Sequence, residues 1–497
     1  MAAPPPGLKA GLEVHQQLDT REKLFCRCPT RSREPSEKTL EFLRLLRPTA
    51  GEAGRVDVAA LEESRRARRF RYLGYDTTCL VEYDEEPPRE LNREALEVAL
   101  QAALLLRMEP VEEVHVMRKV VIDGSNTCGF QRTALVATGG YVEAPSGRVG
   151  LSTLCLEEDA AAIVGQEGDV VTYSLDRLGI PLAEIATEAQ IRTPAQAREV
   201  ARHIGMVLRS TGRAKRGLGT VRQDVNVSIP GGARVEIKGV QQLDLVEKVV
   251  VAEAERQARL LRAGGAVPAE TRRALEDGTT EYMRPLPGAA RMYPETDVRP
   301  AVLDRKFIEA LRRNLPELLD VKERRQREAL VRKYGLNEEL AARALEYPRF
   351  AAWVESAPAV PPSGVVRTLP AAETLRPLLE RGGVLLTESL PETARAIWNA
   401  QERLRPLVPP AEWTQIYQPA IAEFGRILPF LGPGSDDEAR AVVERIVREK
   451  AGLVRQKGAG AHGPLMGLAM RELHGKADGA LVARLLREQI EVLLRAP

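Results

Sequence analysis

The sequence is poor in several things that would have fixed its class at once. Cysteine is scarce: five in 497 residues, an odd number scattered at Cys26, Cys28, Cys79, Cys128 and Cys155, which argues against a disulfide framework and points to a reducing compartment. Histidine also occurs only five times, and none falls into a recognisable Cys-His nucleophile arrangement. No apolar run approaches the roughly 20 residues needed to cross a bilayer, and the opening MAAPPPG has neither the basic segment nor the apolar stretch of a signal peptide. The expectation is a soluble, cytoplasmic chain without membrane contact. Neither sign of charge dominates: 72 Lys and Arg face 70 Asp and Glu, a net +2, so any nucleic-acid contact has to come from local basic patches. The G-x-x-x-x-G-K-[ST] phosphate loop is also missing.

What is present is organised in blocks. The length exceeds what one core usually holds, and composition shifts along the chain. Residues 1–300 mix strand and helix signals, 301–430 read as helical, and the character changes again after LGPGSDDEAR, giving a third block at 431–497. The Pro-rich stretch Ser356–Pro370 is expected to break the helical half. Two helices in the first block announce themselves: LNREALEVALQAALLLR, capped by Asn92, and RTPAQAREVARHIGMVLRSTG, with Thr193 as cap, Pro194 at the first position and Gly212 past the end.

Three short segments carry the chemistry. In LKAGLEVHQQL, Leu8, Ala10, Leu12 and Val14 alternate with polar residues, which puts Glu13 and His15 together on the other face of a strand. In VRQDVNVSI the polar parity holds Arg222, Asp224, Asn226 and Ser228, and in ARVEIKG it holds Arg234, Glu236 and Lys238. The short PGG link predicts an antiparallel hairpin, so these polar faces coincide. A single strand of this kind reads as a sheet with one wet side. A face that gathers carboxylates, a His, an Asn, two Arg and a Lys reads equally as a site. Further acids stand at Glu157, Glu158 and Asp159, and at Asp176, Glu184 and Glu188. Oxygen donors around one His suit Mg²⁺, whereas zinc wants more His or Cys. Cys26-x-Cys28 supplies half a zinc site, but no C-x-x-C follows and Cys79 stands alone, so zinc is not expected. Two Gly-containing loops are candidate phosphate contacts: TGRAKRGLGT, with Lys215 and Arg216, and DGSNTCGFQRT, with Arg132. Both also read as ordinary connections.

The segments GLEVHQQLDTREKLFCRCP, RKVVIDGSNTCGFQRT, LEEDAA, DRLGIPLAEIATE, GLGTVRQDVNVSI, VEIKGVQ and RMYPETDVRP occur in the order found in the B/E family of glutamyl-tRNA(Gln) amidotransferase subunits. The chain resembles that family almost continuously from Gly11 to Pro300, and its tail resembles the family's tRNA-binding domain. CLVEYDEEPP and GSNTCGFQRT look like the E branch, the archaeal type. The resemblance implies an α+β fold: a cradle-like mixed domain built around antiparallel sheet, followed by helical domains. It implies an ATP- and Mg²⁺-dependent ligase that phosphorylates the γ-carboxylate of glutamate on tRNA(Gln) and lets ammonia displace the phosphate.

Carried onto this sequence, the resemblance matches the metal site to Glu13, His15, one or both of Glu157 and Glu158, Glu184 and Asp224, and makes His15, Glu158 and Glu184 the expected magnesium ligands. Glu13 and Asp224 then line the ammonia inlet or a second cation, and Lys238 and Arg222 face the phosphoryl oxygens. Arg132, Lys215 and Arg216 are the further candidate nucleotide contacts, and Arg455, Lys457, Arg471, Lys476, Arg484 and Arg487, which alone read as a solvated helical surface, become candidate tRNA contacts beside an enzyme acting on tRNA. The chain lacks an amidase's Ser-rich signature, and ATGGY lacks the second Thr of an asparaginase. Nitrogen is therefore expected from a partner, an asparaginase-like D subunit, in an assembly of two D and two E chains. Two alternatives stand beside this reading: a B-type subunit working with an amidase, also on Asp-tRNA(Asn), and a noncatalytic tRNA-binding scaffold. Two departures are visible: the C-x-x-C that completes a zinc site in many B subunits does not follow Cys26 and Cys28, and a domain is missing. The aspartyl-tRNA-synthetase-like insertion that the E branch carries before YPETD is absent.

Overall fold

The computed structural model describes residues 7–50, 54, 56–286, 292–431, 436–473 and 479–495. The chain forms two compact units, Met1–Asp320 and Val321–Pro497.

The first unit is built on a twelve-stranded sheet. Its main path runs Thr280–Pro285, Glu270–Ala274, Val235–Val240, Val221–Ser228, Lys9–Gln17, Pro181–Thr187, Gly147–Glu158, Phe130–Thr138, Val116–Val120 and Met292–Pro294. Neighbours on this path are antiparallel except Val235–Val240 with Glu270–Ala274. The alternation in the sequence decides which face is covered. Leu12, Val14, Leu154, Leu156, Ile185, Val225, Val227 and Ile237 are buried in one core with the helices Arg93–Leu105, Pro194–Ser210 and Leu243–Arg262. Both anticipated caps are formed: Asn92 accepts from Ala95 N and Thr193 from Gln196 N. Each satisfies a helix N–H that has no intrahelical partner. The helices lie on the apolar face, so the polar face is left to the site.

A smaller four-stranded sheet, in the order Ala162–Glu167, Val170–Ser174, Arg69–Gly74 and Leu40–Arg44, encloses an aromatic cluster of Phe70, Tyr72 and Tyr173. The first unit continues past residue 300. The helix Arg305–Arg313 packs Phe307, Ile308 and Leu311 on the main core, and Leu319 N donates to Ser210 Oγ at 2.9 Å.

The second unit is helical and holds two separate apolar cores. One gathers residues such as Trp353, Leu375, Ile397 and Phe424, the other Val443, Leu465, Val482 and Leu486. The Pro-rich stretch breaks the helices only briefly. A helix ends at Ser356 and the next runs Pro362–Arg381 with Pro370 and Pro377 inside it. Pro at the first position loses no bond, and burial of Val365, Val366, Leu369, Leu375 and Leu379 outweighs the backbone bond that an internal proline removes.

Candidate active site

The polar face of the main sheet floors a cavity of about 360 Å³. Register brings its residues together from strands far apart in sequence. His15 lies opposite both Glu184 and Arg222, and Glu13 opposite Asp224. His15 Nε2 sits 3.0 Å from Glu184 Oε2. Glu157, from the next strand but one, completes a triad whose donor atoms lie within 4.8 Å of one another. Lys119 Nζ is 2.5 Å from Glu157 Oε1 and 3.9 Å from Glu184 Oε2. Glu13, Asp224 and Glu236 form a second such triad, bridged by Lys238 Nζ at 2.5 Å from Asp224 and 2.8 Å from Glu236. Asn226 Nδ2 donates to Glu13 Oε1 at 3.1 Å.

Electrostatics follow from crowding like charges under partial burial. Burial alone would lower the His15 pKa, but the hydrogen bond and charge of Glu184, with Asp224 and Glu157, raise it to about 9. Burial raises Glu13 to about 7, helped by Glu184, Asp224 and Glu236 and opposed by Lys238. Burial would also raise Glu184, yet Lys119 and His15 hold it well below the ordinary carboxylate range. The Lys238 ammonium is held above its usual value by Asp224 and Glu236 against the pull of burial. One triad thus joins an imidazole to two carboxylates, and the other is all oxygen. Both are donor sets that fit a hard divalent cation with water completing its shell.

Two of the residues expected from sequence as magnesium ligands, His15 and Glu184, meet in the first triad; the third, Glu158, lies elsewhere and its neighbour Glu157 stands in its place. Successive residues of a strand face opposite ways, so Glu157 enters the cavity and Glu158 does not. Glu158 is buried behind the sheet, where its carboxylate takes Arg132 Nη1 at 3.2 Å. Arg132 also donates to Glu295 Oε2 at 2.8 Å, and it is therefore a structural ion-pair partner and does not line the cavity. Lys215 Nζ donates to Thr30 O at 2.7 Å and Arg216 is exposed; neither is among the cavity-lining residues. Arg222 lines it, anchored to Asp159 Oδ1 at 2.8 Å.

Sequence reasoning missed Lys119, Arg177 and Arg284, all of which line the cavity. Lys119 had a signal: it shares parity with Met117 in VMRKV, opposite buried Val116 and Val120. Of the DGSNTCGFQRT loop, Asp123, Ser125, Asn126 and Gln131 reach the wall.

The thiols need a further correction. Cys79 does not stand alone: Cys26, Cys28, Cys79 and Glu82 place their donor atoms within 4.8 Å of one another. Hydrogen bonds from the Cys26 and Cys28 side chains hold the Cys79 thiol far below its usual pKa. Three sulfurs and a carboxylate give four donors of the kinds that zinc takes. Glu82 is already engaged, 3.1 Å from buried Lys23 Nζ.

In the tail, Arg455, Lys457, Arg471, Arg484 and Arg487 are all exposed. None has an acidic partner among the described residues, whereas nearby Arg440 and Arg445 pair with Glu488 and with Glu449 and Glu472. Lys476 lies outside the described residues.

Fold and site together define an α+β protein whose mostly antiparallel sheet carries two clusters of oxygen and imidazole donors beside a row of cationic side chains. Comparison with known proteins narrows this. Residues 8–309 match the GatB/GatE catalytic domain, and residues 431–490 match the GatB domain. The chain belongs to the GatB/GatE family. It is similar to the E subunit of glutamyl-tRNA(Gln) amidotransferase from Archaeoglobus fulgidus, with 39% identity over 98% of both chains, and to that of Methanocaldococcus jannaschii, with 38% over 98% of both. The E subunit of Halobacterium salinarum is 39% identical over the same shares. The alignment with the Archaeoglobus protein runs to 624 positions, against 497 residues here, so that relative carries a large additional segment.

Proposed function

We propose that this chain is the subunit of a tRNA-dependent amidotransferase that converts glutamate on tRNA(Gln) to glutamine, using ATP and ammonia delivered by a partner. The observation that carries the reading is the triad of His15, Glu157 and Glu184 beside Lys119 in a cation-lined cavity, in a chain similar end to end to subunits so named. A carboxylate is a poor electrophile. Its oxygen first attacks the γ-phosphorus of ATP, breaking the bond to ADP; ammonia then attacks the acyl carbon, and phosphate leaves.

His15, Glu157 and Glu184 would hold Mg²⁺, which when bound draws charge off the transferring phosphoryl group. Lys119, Arg222 and Lys238 present N–H donors to the phosphoryl oxygens as charge builds there. Glu13, with its pKa near 7, accepts the proton that the attacking nitrogen must lose. Asp224 and Glu236 keep Lys238 charged, and with Glu13 they would supply the oxygen donors of a second cation. The exposed arginines and lysine of the tail, without acidic partners among the described residues, fit a phosphate backbone read by shape. The partner is an asparaginase-like D subunit in a two-plus-two assembly in the cytoplasm. No described helix is long and apolar enough to cross a membrane. The similar proteins from Archaeoglobus, Methanocaldococcus and Halobacterium are all of the E type, so the B-type and scaffold alternatives are not favoured.

The test is ADP formation dependent on misacylated Glu-tRNA(Gln), with Mg²⁺ and ammonium, by wild type and Glu184→Ala. Substrate-dependent ADP from wild type and its loss in the variant support the reading; no such ADP from wild type refutes it.

A further inference from the structure

Besides His15, the side chains of Lys119, Arg177, Arg222, Lys238 and Arg284 bring cations to the cavity wall. Four are committed to protein acceptors: Lys119 to Glu157, Arg222 to Asp159, Lys238 to Asp224 and Glu236, and Arg177 to the carbonyls of Ala160 and Ala161. Arg284 is different. Among the described residues its buried Nε has no hydrogen-bond partner and its guanidinium no ion pair.

The surroundings explain why. Arg284 stands opposite Thr271 in the strand register. Thr271 Oγ1 donates to Glu236 Oε2 at 3.0 Å, and Lys238 takes Glu236 Oε1 at 2.8 Å. The nearest carboxylate of that row is thus already occupied. The strand itself is anchored: Arg272 donates to Thr280 Oγ1 at 2.7 Å and to Thr280 O at 2.8 Å, and Thr280 Oγ1 donates to buried Glu253 at 3.2 Å. A buried donor of a charged group is costly to leave unmet, and a planar guanidinium matches two oxygens of a phosphate better than any single acceptor.

We propose that Arg284 contacts substrate directly, donating to phosphate oxygens of the bound nucleotide or of the 3′ end of the charged RNA. The proposal rests on the amidotransferase reading and adds a residue to it. Arg284→Ala and Arg284→Lys would be compared with wild type in equilibrium binding of ATP and of tRNA(Gln), and in the ammonium-supported assay of ADP formation. Removing the guanidinium weakens binding and raises KM by about tenfold or more for the ligand concerned, with Lys restoring part of it. An effect on ATP alone assigns a nucleotide phosphate, and an effect on tRNA alone assigns an RNA phosphate. Unchanged binding and KM for both ligands overturn the proposal, as does a lower kcat accompanied only by a lower melting temperature. Wild type inactive with Glu-tRNA(Gln) sinks the amidotransferase reading, while the ATP and tRNA binding arms still decide on Arg284.

Discussion

His15 Nε2 and Glu184 Oε2 lie 3.0 Å apart across two neighbouring strands, and this contact keeps the imidazole protonated to about pH 9. A divalent cation bound by His15 must displace that proton. Cation affinity should therefore rise about tenfold per pH unit between pH 7 and about 9, then level off. Calorimetric titration with Mn²⁺ in buffers of different ionisation enthalpy measures both the affinity and the proton released. An affinity independent of pH would remove His15 from the ligand set.

Glu157 and Glu158 are neighbours in sequence with opposite surroundings, so their substitutions should separate cleanly. Glu157→Gln should cut ADP formation by about 100-fold or more, on the order of a missing electrostatic partner of the reacting groups, a loss far larger than its stability cost, because Lys119 keeps Glu184 at 3.9 Å as a counter-charge. Glu158→Gln removes one of the two buried carboxylates paired with Arg132 and leaves Glu295 as the other, so it should cost about 1–3 kcal/mol of stability. Paired activity assays and denaturant melts check both; a reversed pattern would restore Glu158 to the site.

The raised pKa of Glu13 has a definite sign. Its folded value of about 7 exceeds the ordinary 4.5, so its contribution to stability is full below pH 4.5 and is lost as pH rises through about 7. Glu13→Gln should then stabilise the metal-free protein by about 1–3 kcal/mol at pH 8 and change little at pH 4. Denaturant melts in chelator at the two pH values test this.

The Cys26, Cys28, Cys79 and Glu82 cluster should retain about one zinc per chain through purification. Cys79→Ser should lose the metal and lower the melting temperature, and Glu82→Cys should hold it more tightly. Elemental analysis beside thermal melts decides; a metal-free protein equally stable with and without added zinc would contradict the assignment.

In the tail, Arg484→Ala with Arg487→Ala should weaken tRNA binding and flatten its salt dependence by about 0.7–0.9 for each phosphate no longer neutralised. Binding measured at several salt concentrations gives the slope. An unchanged slope would place the RNA elsewhere.

The sequence by itself determined what depends on local periodicity and local capping. Alternation in LKAGLEVHQQL and VRQDVNVSI put Glu13, His15, Arg222 and Asp224 on one face, because side chains in a strand alternate by geometry. Asn92 and Thr193 marked helix starts, because the groups they satisfy lie only three residues away. Only the tertiary structure decided what depends on register and on contacts across the chain. Glu157 and Glu158 are equally acidic in the sequence; pairing with Leu182 and Pro181 turns one into the cavity and the other behind the sheet. Cys79 reaches Cys26 and Cys28 across an intervening stretch whose length says nothing about proximity. Arg284 carried no signal in its own segment, since what distinguishes it is that, among the described residues, the other cations around the cavity have acceptors and its Nε has none.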